Sequence, residues 1–183
     1  MEDRDWTWFG VAGPTVAYAS IGASIALSPW FRWERNALSD LGHSVRSGVA
    51  PIYNFGLLVA GFLIVIYAAT VFKKHAKYTS ASLSAAGFFL QMVATFDEVY
   101  GSLHYVASVL FFVSIGVTSI VYAVERKSYM AVLAFAVGLA SWVLYWMKIY
   151  VAGVAVPETI SSVAAVAWII QSAIKIYHSK QTA

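Results

Sequence analysis

The sequence predicts an all-α, polytopic membrane protein: one domain, a bundle of six transmembrane helices, with both termini cytoplasmic. Two observations carry that class. Hydrophobic residues make up 60% of the 183 and charged residues 11%, with a mean hydropathy of +0.71. A soluble domain is about half apolar and about a quarter charged, and a water-soluble fold of this size could not bury so much apolar surface. The apolar residues are also gathered into six runs, each near the roughly 20 residues a helix needs to cross about 30 Å of hydrocarbon.

The runs cover approximately 8–31, 50–72, 79–96, 103–124, 129–149 and 154–177. The first follows Glu2, Asp3, Arg4 and Asp5. It lacks the basic start and short apolar core of a secretory signal, so it is expected to stay as a membrane helix. The third is the weakest, carrying Ser80, Ser82, Ser84, Gln91 and Thr95. Those groups are expected to face other helices rather than lipid, where an unpartnered polar group is costly. Small residues at four-residue spacing (Gly13/Ala17, Gly56/Ala60 and Ala136/Ala140) permit close helix packing and offer faces for a homo-oligomer. The connections are short except 32–49, and with no repeat or linker residues 1–183 read as a single domain.

The formal net charge is +3, but the basic residues sit in short clusters between apolar runs. Membrane lipids are therefore the expected partners, and nucleic acid is not. With six helices, eight of the twelve Lys and Arg residues fall on the side of the termini. The positive-inside rule makes that side cytoplasmic and the cell membrane the expected location. There are no cysteines, which excludes disulfides, thiolate metal sites and Cys nucleophiles.

Topology then gathers polar residues that are distant in sequence. The first, third and fifth loops share the non-cytoplasmic face, bringing Asn36, Ser39, Asp40 and His43 toward Asp97, Glu98 and His104 and toward Glu158. Residues 35–43 read as a short helical turn with Asn36 as N-cap and Gly42 as left-handed terminator, so that Asn36, Asp40 and His43 share a face. The plainer reading is that they only cap and tether this turn. His104 opens the fourth helix with Ser108 one turn below, either a working imidazole or an interfacial histidine bonded to a neighbouring helix. Glu158 follows Pro157 in a first helical turn, where a helix-dipole role is the plain alternative. Asp97 and Glu98 read as solubilising loop charges, and Trp142, Tyr145 and Trp146 as an interfacial anchor. No phosphate loop, HExxH, GxSxG or dinucleotide fingerprint is present.

The run Asn36-Ala-Leu-Ser-Asp-Leu-Gly42, the following Ile52-Tyr-Asn-Phe-Gly56 and the pattern His104-x-x-x-Ser108-x-x-Phe111-Phe112 together resemble the prokaryotic and archaeal membrane family catalogued as domain of unknown function 998. More distantly they resemble the eukaryotic Frag, DRAM and Sfk superfamily, which has a similar Ser-Asp-x-Gly turn after its first helix. The likeness covers 8–177 and implies the six-helix fold and the cluster Asn36, Ser39, Asp40, His104 and Glu158. The eukaryotic superfamily is linked to lipid remodelling of membrane anchors and to lipid asymmetry, whereas the prokaryotic family implies no activity. His43 lies outside the matching motif and stands on spacing alone.

The expected function is binding of a lipid headgroup or similar amphiphile in a polar pocket at the extracytoplasmic face. Asp40 and Glu158 would meet a cationic or hydroxylated headgroup, with His104 and Asn36 supplying hydrogen bonds. The alternative is a metal-assisted lipid hydrolase or acyl transferase, with Asp40, His43 and His104 as zinc ligands and Ser39 or Ser108 nearby.

Overall fold

The computed structural model describes residues 5–179. Glu2, Asp3, Arg4 and Lys180 lie outside the described residues. All regular structure among the described residues is helical. The six long helices are α1 (Phe9–Ala26), α2 (Ala50–Tyr67), α3 (Lys77–Thr95), α4 (Ser102–Arg126), α5 (Tyr129–Trp146) and α6 (Ala155–Ser179).

Local chemistry explains where they begin and end. α1 stops five residues before the apolar run does, because Pro29 disfavours helical backbone at the residue before it. Pro51 fits the first turn of α2, where its missing N–H has no helical partner to lose. Past Tyr67, α2 continues through a π turn (Ala68–Phe72) and one turn at Lys73–His75 before Ala76 turns extended. The start of α3 is capped from another helix: the Glu125 carboxylate accepts from the N–H groups of Tyr78 and Thr79 at 3.1 and 2.8 Å. α4 ends on Lys127 in the left-handed conformation, and Ser128 caps α5 by accepting from the Ala131 N–H at 3.3 Å.

Five helical stretches are long and apolar enough to cross a membrane: Asp5–Ala26, Ala50–His75, Ser102–Arg126, Tyr129–Trp146 and Ala155–Ser179. α3 has the length, 19 residues, but its Ser, Thr and Gln dilute its hydropathy. Of the residues expected to face other helices, Ser80 is buried and Ser82 and Ser84 are half-buried, but Thr95 is exposed and returns its hydroxyl to the Gln91 carbonyl at 2.8 Å. Gln91 differs: its stem packs where Gly61 leaves room, but its amide returns to the Gly87 carbonyl of its own helix at 3.3 Å.

Successive helices pack side by side, α1 on α2, α2 on α3 and α3 on α4, while α5 pairs with α6 and α6 closes against α1. Small residues set these approaches. Gly13 lies against the Ala60 backbone, and Gly56 against Ser20. Two of the three small-residue pairs are thus spent inside the bundle, leaving Ala136 and Ala140 exposed. At one end Tyr67, Phe72, Tyr122 and Trp168 form the core, Tyr122 stacking on Trp168 at 4.6 Å. At the other, the 27–49 loop folds down over the helices. Phe31, Leu38, Leu41 and Val49 are buried there with Tyr53, Leu57, Val93 and Ala155. That burial fixes the polar residues between them.

Candidate functional site

The loop is organised around a 3-10 turn, Leu38–Gly42. Asn36 does not cap it. Its Oδ1 accepts from the Arg32 N–H at 2.8 Å, and its Nδ2 donates to Asp40 Oδ2 at 2.7 Å. The cap comes from Asp40, whose Oδ2 also accepts from the Ala37 N–H at 3.0 Å. Asn36 and Asp40 therefore share a face as expected, but His43 bonds neither of them: its Nδ1 accepts from the N–H groups of Val45 and Arg46, both at 3.3 Å. Gly42 is not left-handed; a side chain there would run into Tyr53 and Asn54, so close approach explains the glycine.

Two residues tie this turn to the rest of the bundle. Glu158, buried in the first turn of α6, accepts from the Leu38 N–H through Oε2 at 2.7 Å. The segment before α6 is knitted to the same loop by main chain, Gly153 N–H to Trp33 O at 2.8 Å and Ala155 N–H to Asn36 O at 2.9 Å. Gly153 sits so close to the Asn36 backbone that a Cβ has no space. Glu158 is thus a bridge across the bundle and not a dipole partner alone.

Glu98, read from sequence as a solubilising charge, is the residue that reading missed. Its Oε1 accepts from the Ser39 hydroxyl at 2.8 Å, and its carboxyl hydrogen-bonds that of Asp40. Asp40 beside it disfavours the charged form of Glu98. Burial, then the bond to Asp40 and its charge, push the Glu98 carboxyl up to about 7, against the pull of the Ser39 hydroxyl and Arg46. The available signal was the short loop itself, where consecutive acids stand between Phe96 and Tyr100 with no Lys or Arg beside them. Asp97 is buried and caps its own turn, accepting from the Val99 N–H at 2.8 Å.

His104 is buried in the first turn of α4. Its Nδ1 lies 2.7 Å from the Phe96 carbonyl, which can only accept, so Nδ1 carries the hydrogen. Nε2 is then an acceptor, and Ser108 Oγ donates to it at 3.3 Å. The zinc set Asp40, His43 and His104 is not assembled: among the described residues no three His, Asp or Glu side chains are grouped to hold a metal ion. Nor do Asp40 and His104 share partners, since Asp40 bonds Asn36, Ala37 and Glu98 while His104 bonds Phe96 and Ser108.

These groups stand at the end of a cleft of about 920 Å³ between α4, α5 and α6. Ser39, His43, Arg46, Glu98, His104, Ser108 and Glu158 line it at the loop end, and Asn36 and Asp40 sit behind them. Most of the rest of the wall is apolar, with Phe112, Val113 and Gly116 from α4 and Phe135, Leu139 and Trp142 from α5; the Ser119 and Ser161 hydroxyls there are bonded to backbone carbonyls. Trp142 packs on Phe112 at 5.2 Å and on Trp146 at 5.6 Å, and its indole N–H donates to Ser161 at 3.3 Å. The aromatic stripe read from sequence as an interfacial anchor lines the cleft. A second apolar cavity of about 110 Å³ reaches the same polar end from between α1, α2, α3, α4 and α6, touching Ser39, Ser108 and Glu158.

Fold and hydropathy together define a multi-pass helical membrane protein. The chain belongs to the family described as protein of unknown function (DUF998), whose profile matches residues 11–175. Neither a curated protein nor a solved structure matches it.

Proposed function

We propose that the cleft receives a membrane amphiphile, with its polar head at Glu98, Arg46, His104 and Ser39 and its hydrocarbon along Phe112, Leu139 and Trp142. One observation carries this reading: a single cleft is polar at one end and apolar along the rest, which is the polarity pattern of a lipid. Its volume falls within the roughly 300–1,000 Å³ common for ligand sites. Two carboxyl side chains, Glu98 and Glu158, face one Arg46 in it, a balance that favours an amine or hydroxyl headgroup. Asp40 and Asn36 support the reading as positioning residues for Glu98 and the loop.

The same proposal takes α3 as the sixth span, shielded by α2 and α4, and the Lys/Arg balance as placing the cleft's polar end outside the cytoplasm of a cell membrane. The distant likeness to a superfamily linked to lipid remodelling points the same way.

Gly116 provides the test. Gly116 lines the cleft, and a Cβ there would meet only the Phe135 ring, at the ordinary contact distance of 3.8 Å, so Gly116→Leu adds its bulk at the cleft wall. It also removes a helix-interior glycine, a gain of about 0.5–1 kcal/mol. The variant should be at least as stable as the parent yet retain several-fold less lipid after detergent purification, measured by mass spectrometry of extracts. Gly22→Leu, at an exposed position of α1 with open space around it, controls for lipid bound to the outer surface. Equal retention in all three proteins would refute the amphiphile reading.

A further inference from the structure

We infer that Ser108 is an acyl-accepting nucleophile and His104 its general base, so that the cleft acts on an ester-linked lipid. The inference rests on the amphiphile reading for its substrate class, and on separate geometry for its chemistry.

The hydroxyl of Ser108 is placed unlike its neighbours. Thr118, Ser119, Ser161 and Ser172 each return a hydroxyl to a backbone carbonyl three or four residues back, the usual habit of such residues inside helices. Ser108 donates to an imidazole nitrogen instead. The Phe96 carbonyl fixes that imidazole, holding the hydrogen on Nδ1 and leaving Nε2 free to take a proton. A base held by a third group and bonded to a hydroxyl is the arrangement that activates a serine.

Position supplies the second argument. α4 carries His104 at the polar end of the cleft, Ser108 one turn deeper and Phe112 one turn deeper again on the apolar wall. A turn is about 5.4 Å. A lipid with its head beside Glu98 would therefore present its ester carbonyl, where head meets chain, at the level of Ser108. The smaller apolar cavity opens on the same serine, beside Phe111 and Ile115, so hydrocarbon has room on both sides of it. Ser108 is half-buried and reachable from the cleft.

The step balances without a metal or a redox partner. As Ser108 Oγ bonds the ester carbonyl carbon, its proton passes to His104 Nε2. The carbon–oxygen bond to the headgroup alcohol then breaks, and His104 returns the proton to the departing oxygen. Water, or a second alcohol, repeats the sequence in reverse to release the acyl group and restore Ser108.

The experiment treats the full-length protein, in detergent, with a small fluorophosphonate and a long-chain one, and locates the adduct by peptide mass spectrometry. The expected adduct is on Ser108, absent in Ser108→Ala and formed at least about 100-fold more slowly in His104→Gln, the range for loss of a general base. The long-chain probe should react faster than the small one in the wild-type protein. Because His104→Gln also touches the Phe96 contact, a second measurement uses Ser108→Cys, the sole thiol in a chain without cysteine. Its alkylation at neutral pH should be several-fold faster with His104 present than with His104→Gln, as expected for a thiol beside an imidazole. No adduct on Ser108 with the small probe, or alkylation indifferent to His104, overturns the dyad whatever lipid the protein retains. A Ser108 adduct in a protein that retains no lipid, with both probes equally fast, upholds the dyad and overturns the amphiphile reading.

Discussion

Substituting Glu98 by Gln should make the protein's stability less sensitive to pH. In the native structure the Glu98 carboxyl is raised from its ordinary value of 4.5 to about 7 by burial and by Asp40. Below about 4.5 it is protonated in folded and unfolded chains alike and its contribution to stability is complete. Between about 4.5 and about 7 only the unfolded chain releases the proton, so stability falls as pH rises, and the loss is complete above the folded value. At about 1.4 kcal/mol per unit the shift sets an upper bound of about 3.5 kcal/mol. Glu98 is only half-buried, and solvent screening reduces this to about 1–2 kcal/mol. In Glu98→Gln the amide nitrogen can donate to Asp40 as the protonated acid does, while the amide oxygen still accepts from Ser39. The variant should then hold its geometry and lose the slope. Tryptophan-monitored thermal unfolding at pH 5 and pH 8 is the assay. The wild type should lose about 2–8 °C more than the variant on going to pH 8, using about 2–4 °C per kcal/mol for a chain of this size. Equal losses would show that the Glu98 carboxyl is not raised in the folded protein.

Gly153→Ala would drive a methyl group into the Asn36 backbone and separate the two loops that Glu158 bridges; a cost of about 1–3 kcal/mol is expected from overpacking, and an unchanged unfolding midpoint would mean the loops part freely. For orientation, single cysteines at the exposed positions Ser44 and Ser102 should react with a membrane-impermeant reagent added outside intact cells, and one at the exposed Lys77 should not. The opposite pattern would place the cleft's polar end in the cytoplasm.

The helices were legible in the sequence because the bilayer imposes length and apolarity together, and each of the six runs falls on one. Their ends were less so: the first run continued to residue 31 by hydropathy alone, but Pro29 ends α1 at Ala26. The convergence at one face was also legible, since helix parity puts alternate loops together whatever their sequence. Ser39 meeting Glu98 and Leu38 meeting Glu158 follow from it. Individual roles were not legible. Whether His43 reaches across the cleft or bonds its own turn depends on a backbone rotation that spacing does not encode. Gln91 posed the same choice, between a neighbouring helix and the Gly87 carbonyl of its own helix. Glu98 was hidden for a related reason: a loop charge looks solvated until the 27–49 loop is known to fold over it.

That fold-over has a cost which helps to identify its purpose. Asp40, Glu98 and Glu158 lie at one end of the bundle, with Arg46 acting on Glu98 from the edge of the cleft. Like charges brought together and partly desolvated oppose folding, and apolar residues of similar size could close such an end at lower cost. The same loop already does so with Phe31, Leu38 and Leu41. The carboxyl groups are retained beside that apolar seal, and Glu98 and Glu158 face the cleft while Leu38 and Leu41 face the core. Departures from local stability tend to concentrate where a protein does its chemistry. A loop that only sealed the bundle would need the leucines; Glu98 and Glu158 on the elements it covers, the Ser108–His104 pair below them and the apolar wall beyond are what binding and cleaving a lipid ester would require.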